Sequence, residues 1–101
     1  YDVNLLINKG MTCESTIQAL EVTKERLREL ETFDAETLEV LLRSLAEKLK
    51  LKAGQLFGAL RTAVTGETAT PPLFQTMAIL GEERCLRRIE EALDKLKKLS
   101  V

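Results

Sequence analysis

Histidine does not occur among the 101 residues. That absence excludes the Ser/His/Asp and Cys/His arrangements of nucleophilic catalysis and the usual imidazole-based zinc and iron sites, so no catalytic and no metal-ligating residues are assigned. Tryptophan is also absent, and the only rings are Tyr1, Phe33, Phe57 and Phe74. A platform that stacks unpaired bases needs several exposed rings, so that mode of RNA binding is set aside. Phe57 and Phe74 fall on apolar stripes and are expected in the core. Cysteine is limited to Cys13 and Cys85, far apart in the chain. Two thiols do not make a disulfide-stapled secreted domain, and both are expected to be reduced in a cytoplasmic protein. No run of ~18 apolar residues is present, so no membrane span is expected. Neither sign of charge dominates: fifteen bases face sixteen acids, for a net charge of −1. A polybasic nucleic-acid binder is excluded, while a local basic patch is not. The chain opens on Tyr1-Asp2-Val3, without Met or a leader, which predicts a piece of a longer product.

Apolar residues make up 45% of the chain and charged residues 31%, a globular balance. Leucine is abundant, and the apolar period is 3.6 throughout, with no sustained alternation. The expected fold is therefore all-α: one compact bundle of about five to six helices spanning residues 1–101. Residues 2–8 read as a short helix with Leu5, Leu6 and Ile7. Thr12 reads as an N-cap, with Glu14 in the first turn of a helix that buries Ile17, Leu20, Leu27 and Leu30. Asp34 caps a third helix with Leu38, Leu41, Leu42, Leu45 and Leu49 on one face. A fourth carries Leu56, Phe57, Leu60, Ala63 and Val64 and ends at Gly66, where a left-handed residue is needed. Thr70-Pro71 reads as N-cap and first helical position of a short helix with Leu73, Phe74, Met77 and Leu80, stopped by Gly81. Glu82 and Glu83 open the last helix, Lys95, Lys97 and Lys98 close it, and Leu86, Ile89, Leu93 and Leu96 form its buried face. Residues 1–50 carry ten acids and seven bases, whereas residues 51–101 carry six and eight. Only the second half is suited to meet an anion.

Residues 54–65 are unusual for an amphipathic helix. Gly54 and Gly58 share a face, which Thr62 continues. Each interior Gly costs about 1 kcal/mol relative to Ala, so something is expected to approach closely. Arg61 borders this strip and is the only charged residue between Lys52 and Glu67. The local pattern admits two readings. One is close helix packing at the glycines with a solvated Arg61. The other is an RNA loop met by a planar guanidinium and by the hydroxyls and amides of a helix start. The Arg84, Arg87 and Arg88 cluster likewise reads either as phosphate contacts or as a charged face balanced by Glu90, Glu91 and Asp94.

The run from Leu51 to Gly66, with Leu60-Arg61-Thr62-Ala63-Val64-Thr65-Gly66 at its heart, resembles the C-terminal anticodon-binding region of bacterial glutamyl-tRNA synthetases. Thr70-Pro71-Pro72-Leu73-Phe74 is similar to that family's Pro-Pro-Leu-Phe element. Leu80-Gly81-Glu82-Glu83-Arg84 and Arg88-Ile89 are similar to its closing motif. Tyr1-Asp2, Leu5-Leu6-Ile7 and Met11-Thr12 resemble the segment that leads in. The resemblance spans essentially the whole chain. It departs from the family at position 50, where Gly is expected and Lys50 stands, and at position 82, where Lys is expected and Glu82 stands.

The resemblance implies an α-helix cage at the C-terminus of a class I, ATP-dependent ligase. ATP and Mg would belong to a catalytic domain upstream, and this chain would bind tRNA and catalyse nothing. The implied partner is the anticodon loop of a glutamate tRNA. Carried over by motif, Arg61 would contact anticodon bases or their phosphates, and Thr70, Pro71 and Leu73 would line the base pocket. Arg43 would contribute from the preceding helix. Residues 1–33 would pack on the missing upstream part, with 34–101 as the core anticodon-binding subdomain. The parent enzyme would be a cytoplasmic monomer. The competing class is a helical protein-interaction domain using an apolar groove around Leu73 and Phe74.

Overall fold

The computed structural model describes residues 3–66 and 72–99. Among these, a 3-10 turn at Val3–Leu6 precedes five α-helices: α1 at Cys13–Arg28, α2 at Ala35–Lys48, α3 at Ala53–Thr65, α4 at Leu73–Leu80 and α5 at Glu82–Leu99. The expected all-α bundle is what forms.

Local signals account for most boundaries. The Thr12 hydroxyl accepts from the Ser15 amide at 3.1 Å, and the Ser15 hydroxyl accepts from the Thr12 amide at 2.9 Å. This reciprocal box satisfies two amide donors at the start of α1. Asp34 accepts from the Thr37 amide at 2.7 Å, and that hydrogen bond holds the Asp34 carboxyl below its ordinary pKa. Gly66 ends α3 in the left-handed region at φ 77°, and its amide bonds to the Thr62 carbonyl. Gly81 ends α4 at φ 88°. The end of α2 differs. Lys50 adopts φ 60°, and its amide and that of Leu51 bond to the carbonyls of Glu47 and Ala46. That is a Schellman closure, the conformation for which Gly is best suited. Lys50 therefore occupies a glycine geometry where the family resemblance places glycine.

The core is built on Leu6, Leu20, Leu27, Leu38, Leu42, Leu56, Leu60, Met77, Ile89, Leu93 and Leu96, all almost fully buried. The longest contact runs between α1 and α5, while α3 touches every other helix. Several expectations shift by one position. In α1 the inward residues are Thr16, Ala19, Leu20, Thr23 and Leu27, with Ile17 half-buried, and Leu30 is half-buried past the helix end. The buried Thr16 and Thr23 hydroxyls donate one turn back to the carbonyls of Thr12 and Ala19. In α5 the buried face includes Cys85 and Ala92, and Leu86 is only half-buried. Helix α4 begins at Leu73 with Pro72 as N-cap, later than expected. Thr70 and Pro71 lie outside the described residues. No described helix is long and apolar enough to cross a membrane.

Candidate nucleic-acid interface

Helix α3 presents two different surfaces along its length. At its N-terminal end, Gly58 packs against the segment that follows the 3-10 turn. A Cβ at Gly58 would lie 2.6 Å from the Asn8 side chain, whose amide nitrogen donates to the Gln55 carbonyl at 3.2 Å. Gln55 in turn donates to the Lys9 carbonyl at 2.9 Å. Thr62, on the same line, is buried against the Leu5 carbonyl. Gly54 has nothing within 4 Å of where its Cβ would be. The close approach expected at the glycine strip is therefore made at Gly58 by the protein's own N-terminal segment.

The C-terminal end of α3 is organised otherwise. Arg61 is half-buried, and its Nε is buried with no hydrogen-bond partner among the described residues. A buried donor left unpaired costs roughly 1–3 kcal/mol, and more when charged, so this Nε does not stabilise the fold through a hydrogen bond. Phe57, Arg61 and Thr65 follow one another at i, i+4 and so form a single stripe on α3. The Thr65 hydroxyl donates to the Arg61 carbonyl at 2.5 Å. The Arg43 guanidinium of α2 lies 5.5 Å from the centroid of the Phe57 ring and pairs with Glu39 at 2.9 Å. Phe57 meets Phe74 of α4 edge-on, with ring centroids 5.1 Å apart. Helices α2, α3 and α4 are thus tied by an Arg43–Phe57–Phe74 chain at the N-terminal end of the Arg61 stripe. Both rings are half-buried at the margin of the core and not within it as expected.

Leu73 is 3% exposed. Its side chain belongs to the core, and what remains for a ligand is its main-chain N–H in the first turn of α4. That turn has no side-chain cap, because the N-cap is Pro72. Phe74 is packed edge-on against Phe57 and is half-buried. Arg43 thus meets Phe57, the first residue of the stripe that carries Arg61, and Leu73 is buried in the first turn of α4, whose Phe74 touches the same ring.

Sequence reasoning grouped Arg88 with Arg84 and Arg87 and missed its tie to α3. Its guanidinium donates to the Val64 carbonyl, 24 positions away. The two residues line a cleft of about 270 Å³ together with Ala63, Thr65, Gly66, Glu91 and Lys95. A signal was available: Arg88 is i+3 from Cys85 and i−4 from Ala92, which puts it beside the buried face of α5. Arg84 and Arg87 remain exposed. Burial pushes the Cys85 thiol up to about 11, with the nearby Arg88 charge pulling the other way.

Residues 1–93 match the anticodon binding domain family. The chain belongs to that family. It is 50% identical over 99 residues to a glutamate–tRNA ligase of Dehalococcoides mccartyi, an alignment covering 98% of this chain and 20% of that protein. It is 51% identical over 96 residues to a glutamate–tRNA ligase of Roseiflexus castenholzii, covering 95% of the chain and 19% of the relative. A glutamate–tRNA ligase of Chloroflexus aurantiacus is 40% identical over 100 residues, covering 99% and 20%. The chain therefore spans about a fifth of the length of the curated relatives it matches.

Proposed function

We propose that this domain binds the anticodon loop of a glutamate tRNA and serves a glutamate–tRNA ligase whose catalytic machinery lies outside this chain. The observation that carries the reading is the Arg61 guanidinium, poised on α3 with a buried Nε that no described protein group satisfies. A planar donor of this kind suits the edge of an unstacked base or a phosphate. The domain's family membership and the name shared by its relatives support the choice of ligand.

Two kinds of contact divide the work. A base edge held by Arg61 in bidentate fashion would discriminate by about 1–3 kcal/mol, the range known for such pairs. The uncapped first turn of α4 and the Thr70-Pro71 segment would complete the pocket around it. Arg43, already seated on Phe57, would approach phosphate and add salt-dependent affinity without sequence information. ATP and Mg would act in the catalytic part of the longer cytoplasmic enzyme, and among the described residues no group of three or more His, Cys, Asp or Glu could hold a metal ion. Anticodon contact would then favour charging by orienting the tRNA toward that distant site.

The test is a titration of the chain against a glutamate-tRNA anticodon stem-loop and a stem-loop of scrambled loop sequence, at two salt concentrations. The expected result is tighter binding to the matched loop, weakened on both loops by salt. Equal binding to both loops would contradict the reading.

A further inference from the structure

We infer that Arg88 is a positioning residue for base recognition: it acts through the last turn of α3 and touches no RNA. This inference rests on the reading of Arg61 given above. A helix leaves its last carbonyls without intrahelical partners. At the end of α3 the Gly66 amide takes the Thr62 carbonyl, and the Arg88 guanidinium, reaching over from α5, takes the Val64 carbonyl. The Thr65 hydroxyl fixes the Arg61 carbonyl within the same turn. Arg61 therefore stands on a turn held from three sides, and only one of the three restraints comes from another helix. A cation at this place also matches the negative end of the α3 dipole. Arg88 thus bears from α5 on the turn that follows Arg61. Its neighbours Arg84 and Arg87 are exposed and have no such tie among the described residues.

The experiment measures the ratio of affinities for the matched and scrambled stem-loops, below the melting temperature of every variant, in wild type, Arg88→Met, Arg88→Lys, Arg61→Ala and the Arg61→Ala/Arg88→Met double variant. Arg88→Met is expected to lower the ratio at least fivefold. Arg88→Lys, which keeps a donor and the charge, is expected to recover part of it. In the Arg61→Ala background, Arg88→Met is expected to change the ratio by less than twofold, because its effect passes through Arg61. A lower melting temperature with the wild-type ratio retained would overturn the inference and leave Arg88 as a structural tie. Equal weakening on both loops, with a shallower salt dependence, would overturn it by making Arg88 a phosphate contact. A wild-type chain without loop preference would instead defeat the function proposed above, and the inference with it.

Discussion

The two ends of α3 look alike in sequence and differ in what they do. Both carry small residues and both border an open face. At the N-terminal end, Gly58 is filled by Asn8, and the hydrogen bonds of Asn8 and Gln55 lock residues 8–10 onto the helix. The Asn8 amide nitrogen and both polar atoms of the Gln55 side chain have protein partners there. At the C-terminal end, Arg61 keeps a buried donor without a partner among the described residues, while the backbone around it is held by Thr65, Gly66 and Arg88. Small residues on a helix therefore say little about a ligand, since the protein itself can supply what comes close. A rigid backbone carrying an unsatisfied guanidinium says more. It combines a local cost with a frame that holds the costly group in place, a pairing expected of functional sites.

The comparison can be broken most forcefully at Gly58. Gly58→Leu would drive a side chain into Asn8 and displace residues 8–10, with an expected loss of about 1–3 kcal/mol in chemical unfolding, the usual range for overpacking. Its anticodon preference, measured on folded protein, should survive. An unchanged stability would show that the N-terminal segment is not docked on α3 as described. Gly54→Ala provides the smaller contrast. It meets no neighbour and lies in the first turn, so better helix propensity should raise stability by about 0.5 kcal/mol. A loss of that size or more would reveal an approach to Gly54 that the structure does not contain.

Much of the fold was legible before any coordinates. Thr12, Asp34, Gly66 and Gly81 act at helix ends as their chemistry requires, and the leucine period identified the helices. The misses share a physical origin. Apolar spacing fixes a helix face only to within about one residue, or 100°. Cys85 and Ala92 could therefore exchange burial with Leu86, and two threonines could enter the core once their hydroxyls found carbonyls one turn back. Which flank of α5 would meet the end of α3 depends on how the helices cross, and so Arg88 read as one member of a charged cluster. Arg61 stood out for a different reason. It is a lone charge in an otherwise uncharged stretch, a signal written along the chain. The sequence could not tell that the glycine beside it was already occupied by Asn8, because that partner lies 50 positions away.

The central claim is that Arg61 is held by the fold without holding the fold. Arg61→Ala tests it in one paired measurement of thermal unfolding and of matched against scrambled stem-loop affinity. Because the substitution removes a buried donor that has no partner among the described residues, unfolding free energy should not fall. The affinity ratio should fall by the equivalent of about 1–3 kcal/mol, roughly 5- to 150-fold. A destabilised variant that keeps its loop preference would contradict the account, since Arg61 would then be a structural residue and the unsatisfied donor a feature without a ligand.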